Sequence, residues 1–189
     1  MPTVRLDSDA RLFYRVDDFT DPWTEPDTVV MHHGMAKNHR LWYAWVPVLA
    51  RRFRVLRFDA LGMGKSSVPP PGHAFTLQGF ARDLLCLLDA LGLERVHLIG
   101  ETVGGTVCYQ FAYDHPERLY TLATCSSPYE FTGSYYVTSA ETVEKEGVQA
   151  WVERTTSMRL DPRVVSPQHA AWYTAQMSRT KPWVVSSFL

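Results

Sequence analysis

Apolar and polar positions along this chain follow two rhythms in turn. Leu12, Tyr14 and Val16 share one side of residues 11–16, the period of a half-buried strand, and the turn residues of 17–23 then break it, which predicts an antiparallel hairpin at the start. Residues 28–32, 53–58, 96–99 and 119–125 are short, bounded, largely apolar or β-branched runs that read as further strands. Between them the period lengthens. Asn38 is placed to cap a helix bearing Leu41, Trp42, Trp45, Val46 and Leu49. Thr76 is placed to cap one with Leu77, Phe80, Leu84, Leu87, Leu88 and Leu91 as its stripe and Gly92 as its stop. Residues 106–112 form a third helix, ended by His115-Pro116.

Strands alternating with helices predict an α/β fold: a mostly parallel sheet with helices on both faces. From Ser126 onward only the helical period remains, with Val148, Trp151 and Val152 on one segment and Ala170, Ala171, Tyr173, Thr174 and Met177 on another that Ser166-Pro167 opens. The expected organisation is a core over residues 1–127 and a helical cap segment over 128–189.

Composition narrows the function classes. With 46% hydrophobic and 21% charged residues over 189 positions, one globular domain with a real core is expected. A formal net charge of −1, without basic clusters, argues against nucleic acid or an anionic membrane surface and for a small-molecule partner. Cys86, Cys108 and Cys125 are odd in number and lack C-x-x-C spacing, which suits buried thiols in a reducing compartment. With no apolar leader in the first residues and no run long enough to span a bilayer, a cytoplasmic location is expected.

The chemistry concentrates at Gly100-Glu101-Thr102-Val103-Gly104-Gly105, between a strand and a helix. This is the spacing of a G-x-S-x-G nucleophile elbow, with threonine in the hydroxyl position. Upstream lie His33-Gly34-Met35 after one strand and Asp59-x-x-Gly62-x-Gly64-x-Ser66 after the next. In that order the three motifs resemble the α/β-hydrolase fold family, in particular esterases and enol-lactone hydrolases. The resemblance covers about residues 4–128 for the core, and the remainder looks like the beginning of a cap. It implies an ester or lactone hydrolase with Thr102 at the nucleophile position and the backbone N–H groups of Met35 and Val103 as the oxyanion hole. His33, Gly34, Glu101, Tyr129 and Trp151 are the pocket candidates. Neither a cofactor nor a metal is implied.

Two features set this chain apart from the family pattern. The elbow holds its central residue at positive φ, which a β-branched side chain adopts only with strain. The family's catalytic histidine follows the last strand of the sheet, and no such strand is present, so activity of this chain alone is expected to be weak; a catalytically silent ligand-binding or interaction module is the alternative. His32, His33, His97 and His115 read as structural. His73 and His169 are conceivable bases, and Glu101 and Glu130 are the nearest acids to the elbow and the last strand. Gly64-Lys65-Ser66 is not a P-loop, since that pattern needs glycine where Asp59 stands and a helix where Pro69-Pro70-Pro71 stands. His32 and His33 point to opposite sides of an extended segment, so with His39 they make no metal site. The strand at 119–125 would leave an open edge, which predicts a homo-oligomer, a complementing chain, or cap helices folded over it.

Overall fold

A computed structural model of the chain describes residues 1–129 and 134–188, the side chains of 134–138 excepted. Six strands form one sheet: β1 (Thr3–Arg5), β2 (Arg11–Asp17), β3 (Thr28–His32), β4 (Arg54–Phe58), β5 (Val96–Glu101) and β6 (Leu119–Cys125), in the order β1-β2-β4-β3-β5-β6. β3, β4, β5 and β6 run parallel; β1 and β2 are antiparallel additions. The hairpin expected across residues 17–23 does not form. Instead β2 pairs with β1, through a turn that places Asp9 at φ 64, and with β4. The reason lies in β3, buried along its whole length: a strand apolar on both faces takes the centre of the sheet, and the half-exposed β2 is displaced outward.

Strand alternation divides the core in two. Val29, Met31 and Val55 face one side with Trp42, Val46 and Ala50; Val30, Leu56, Phe58 and Leu98 face the other. On the second side lie α2 (Leu77–Ala90) and α3 (Val103–Asp114), whose Leu84, Leu87, Leu88, Val107 and Phe111 are fully enclosed. On the first side the long helix expected after Asn38 is divided. Asn38 does cap, its side chain accepting from Arg40 N, but only a 3-10 turn (His39–Trp42) follows, and α1 (Val46–Leu49) starts afresh. Pro47 explains the break: its ring and missing N–H are tolerated in a first helical turn and nowhere further in. Thr76 and Ser166 cap as their sequence positions predict, accepting from Gly79 N and His169 N.

The C-terminal part is helical: α4 (Ser134–Thr155, interrupted at Gly147, φ 89), α5 (Pro167–Met177) and α6 (Pro182–Ser186). It rests on the loops that follow the central strands. Thr180 Oγ1 donates to Ala36 O at 3.2 Å, Trp183 meets Phe75, and Phe188 meets Phe80. β6 stands at the end of the sheet, with no described strand on its outer side. The cap contacts of Thr180, Trp183 and Phe188 reach the loop after β3, the loop before α2 and α2 itself. Among the described residues no helix is long and apolar enough to cross a membrane.

Candidate functional site

The elbow is built by close approach. A Cβ on Gly100 would lie 2.5 Å from Gly105 Cα and 2.7 Å from Cys108 Sγ; one on Gly104 would run into the carbonyls of His32 and His33; one on Gly105 would strike Ser127 Oγ. Glycine at these positions lets α3 press against β5 and β3 immediately after the turn. Thr102 takes the turn itself at φ 49, ψ −124, as the N-cap of α3 without a side-chain capping bond. Its backbone is fixed on both sides, Thr102 N donating to Cys125 O and Gly105 N to Thr102 O, each at 2.9 Å. A β-branched residue at positive φ is a strained conformation, maintained because these bonds and contacts over-determine it.

Against this turn lies the loop after β3. A Cβ on Gly34 would collide with Thr102 Oγ1 and come within 3.3 Å of Glu101 Oε2, so only glycine lets the loop backbone reach the hydroxyl. Among the described residues the backbone N–H groups of Met35 and Val103 make no hydrogen bond, while Lys37 N closes the loop onto Gly34 O. Lys37 Nζ forms an ion pair with Glu101 and sits 5.4 Å from the Tyr173 ring centroid. His33 is enclosed, its Nδ1 at the Gly34 carbonyl and its Nε2 accepting from Ala60 N; His32 Nδ1 lies 2.9 Å from His33 O. Burial drives the pKa of His32 down to about 3 and lowers that of His33, so both imidazoles are neutral.

The loop after β4 is saturated. Asp59, with no exposed surface, accepts from His39 N, from the His39 ring and from Lys65 N. Burial alone would raise its pKa, but the His39 hydrogen bonds and the nearby imidazoles outweigh it and hold the carboxyl below its ordinary value. Ser66 Oγ donates to the Asp59 carbonyl and accepts from Phe13 N, and Lys65 Nζ stands over the Phe13 ring. Gly64-Lys65-Ser66 is thus committed to the fold.

A cavity of about 380 Å³ opens beside the elbow. Thr102, Glu101, Cys125 and Ser126 form its floor, Lys37, Leu41, Trp42, Tyr43 and Trp45 one wall, and Arg159, His169 and Tyr173 of the helical part face them. A hydroxyl on a strained turn, at a helix N-terminus, beside unpaired N–H groups, is an arrangement suited to acyl transfer. Residues 27–181 match the family described as alpha/beta hydrolase fold. The chain belongs to that family. A relative from Stutzerimonas stutzeri named for carbamate hydrolysis is 33% identical over 134 residues, 68% of this chain and 50% of its own length. A pimeloyl-[acyl-carrier protein] methyl ester esterase from Aeromonas hydrophila is 39% identical over 103 residues, 54% of this chain and 38% of that protein. The enol-lactonase of Burkholderia xenovorans LB400 superposes with a TM-score of 0.90 over 99% of this chain and 71% of its own, at 23% identity, which is a likeness of fold. The chain thus spans half or less of the length of these curated relatives.

Within this α/β-hydrolase site the sequence-predicted residues separate into two groups. Thr102, Gly34, Met35, Val103 and Glu101 come together at the elbow. His33, Tyr129 and Trp151 do not line the cavity: His33 is enclosed with both ring nitrogens engaged, Tyr129 is 85% exposed, and Trp151, 3% exposed, packs in the core beneath Arg159. Of the two conceivable bases, His73 lies by another cavity with Phe75, whereas His169 lines this one, in ring contact with Tyr43 and Trp172. No described side chain hydrogen-bonds the Thr102 hydroxyl. Glu130 lies outside the described residues. Lys37 and Arg159 escaped the sequence reading because their partners are set by tertiary contact; Lys37 and Glu101 are 64 residues apart.

Proposed function

We propose that this chain carries the nucleophile turn and oxyanion hole of a hydrolase acting on a small ester or lactone, with Thr102 as nucleophile and the N–H groups of Met35 and Val103 as oxyanion donors. The observation that carries this reading is the meeting of the Thr102 hydroxyl with the Gly34 backbone beside those two unpaired donors. Such donors act on charge as it develops, and removal of one typically slows the chemical step by about 10²-fold to 10³-fold. His33 and Gly34 shape the loop behind the pocket, Glu101 holds Lys37 at its floor, and the helical segment 128–189 acts as the cap. The general base is supplied from outside the described contacts of Thr102, and the open edge of β6 (Leu119–Cys125) is where a second copy or a complementing chain would add. Three free thiols suit a cytoplasmic setting.

Hydrolysis of p-nitrophenyl acetate by the purified chain tests the assignment. The expected rate is weak but above buffer, because a hydroxyl without a base is a poor nucleophile; it falls to the buffer rate in Thr102→Ala, which removes the nucleophile, and drops sharply in Met35→Pro, which lacks the donor. A strong rate abolished by Thr102→Ala would instead place the base within this chain. Absence of any rate above buffer favours the second reading, a catalytically silent ligand-binding module, for which the strained Thr102 and its unbonded hydroxyl speak.

A further inference from the structure

Of the four described arginines in the helical part, Arg154 and Arg163 have a carboxylate partner and Arg159 and Arg179 have none among the described residues; of the latter two, Arg159 lines the cavity. Arg154 pairs with Glu146, and Arg163 with Asp161 at 2.7 Å. Within the cavity itself, Lys37 is neutralised by Glu101. Arg159, which follows the 3-10 turn Thr156–Met158, lines the same cavity as Thr102 and has no acidic partner among the described residues. It is nevertheless held in place. Its guanidinium carbon stands 4.6 Å from the Trp151 ring centroid, and Nη1 donates to Thr155 Oγ1, which in turn donates to the Trp151 carbonyl at 2.6 Å. A cation stacked on a buried indole and fixed by a buried threonine has lost much of its side-chain freedom, yet keeps most of its N–H donors unused.

We propose that Arg159 is the anion-recognising residue of this cavity, and that the molecule bound there is an ester or lactone bearing a second, carboxylate group. The carboxylate pairs with Arg159 while the carbonyl lies at Thr102, and the aromatic wall of Trp42, Tyr43, Trp45 and Tyr173 covers an apolar connecting segment. Charge balance supports the assignment: with Lys37 and Glu101 cancelling, Arg159 leaves the described lining of the cavity one positive charge in excess, and its planar fork matches a carboxylate. This proposal rests on the reading of the cavity as the substrate site.

The test compares monomethyl succinate through monomethyl suberate, each carrying one ester and one carboxylate, with the corresponding neutral dimethyl esters. Binding to the purified chain is followed by tryptophan fluorescence and calorimetry. The monoesters of at least one chain length are expected to bind about tenfold more tightly than their dimethyl counterparts. R159Q should abolish that preference, and R159K, which keeps the charge but not the fork, should retain part of it; melting curves establish that each variant is folded. Equal affinity for both ester types, no binding of either, or a preference surviving R159Q would overturn the proposal. Hydrolysis measured in the same samples separates the two claims. Preference for the monoesters without turnover leaves the anion site standing and removes the hydrolase, whereas turnover of both esters at equal affinity does the reverse.

Discussion

Two glycine-rich turns leave the carboxyl ends of parallel strands in this molecule, and they handle their polar groups in opposite ways. After β4, Asp59 collects donors from His39 and Lys65, Ser66 closes back onto the Asp59 carbonyl, and a Cβ at Gly64 would meet the Asp59 carboxylate itself. After β5, the Thr102 hydroxyl and the N–H groups of Val103 and of the facing Met35 have no hydrogen-bond partner among the described residues, and the backbone sits at a strained φ of 49. A saturated turn stabilises the fold; an unsaturated and strained one lowers stability in exchange for groups free to meet a ligand. Sequence similarity between two glycine motifs therefore says little about role until the partners are counted.

The largest break in this comparison should come from the glycine contact between the two halves of the site. Gly104→Val drives side-chain atoms into the His32 and His33 carbonyls, backbone that cannot swing aside, and is expected to destabilise by more than about 3 kcal/mol in urea unfolding. A loss below about 1 kcal/mol would show that the close approach is not needed. Asp59→Ala tests the saturated turn. It strands the buried donors of His39 and the part-buried N–H of Lys65, and the expected loss is about 3 kcal/mol, with the tryptophan signal of the cavity retained in the fraction still folded.

Acid should act through the neutral histidines His32 and His33 at the end of β3. The folded-state pKa of His32 is depressed to about 3 from 6.5, so between those values the unfolded chain binds the proton and the folded chain does not. Stability is therefore fully present above about pH 6.5 and falls as pH drops toward 3, by about 1.4 kcal/mol per pH unit for this one group at its steepest. His32→Phe, whose ring can keep the edge contact to Phe58, should flatten that dependence in unfolding midpoints measured across the range. An unchanged slope would assign the acid sensitivity elsewhere. The smallest effect has the opposite sign: Thr102→Gly removes the Cβ at φ 49 and is expected to stabilise by about 1 kcal/mol, visible as a raised melting temperature. If it destabilises, the methyl and hydroxyl contacts of Thr102 outweigh its strain.

By itself the sequence determined the elements whose signals are local. The apolar runs became β3, β4, β5 and β6, the caps at Asn38, Thr76 and Ser166 formed as their side chains dictate, and the spacing of Gly100, Gly104 and Gly105 around Thr102 placed a strained turn between strand and helix. Those features depend on periodicity, steric limits and bonds a few residues apart. Tertiary structure alone decided where β2 pairs, because its turn residues allow a hairpin that the fully apolar β3 overrides by taking the sheet centre. It also decided which polar residues share the cavity. Trp151 has the same helical spacing whether it faces substrate or core, and only the packing of α4 and the Arg159 turn sent it inward with the guanidinium above it. Lys37 meets Glu101, and Arg159 lines the same cavity as Thr102, through contacts that close loops of tens of residues, and no local pattern in a single chain encodes such partners.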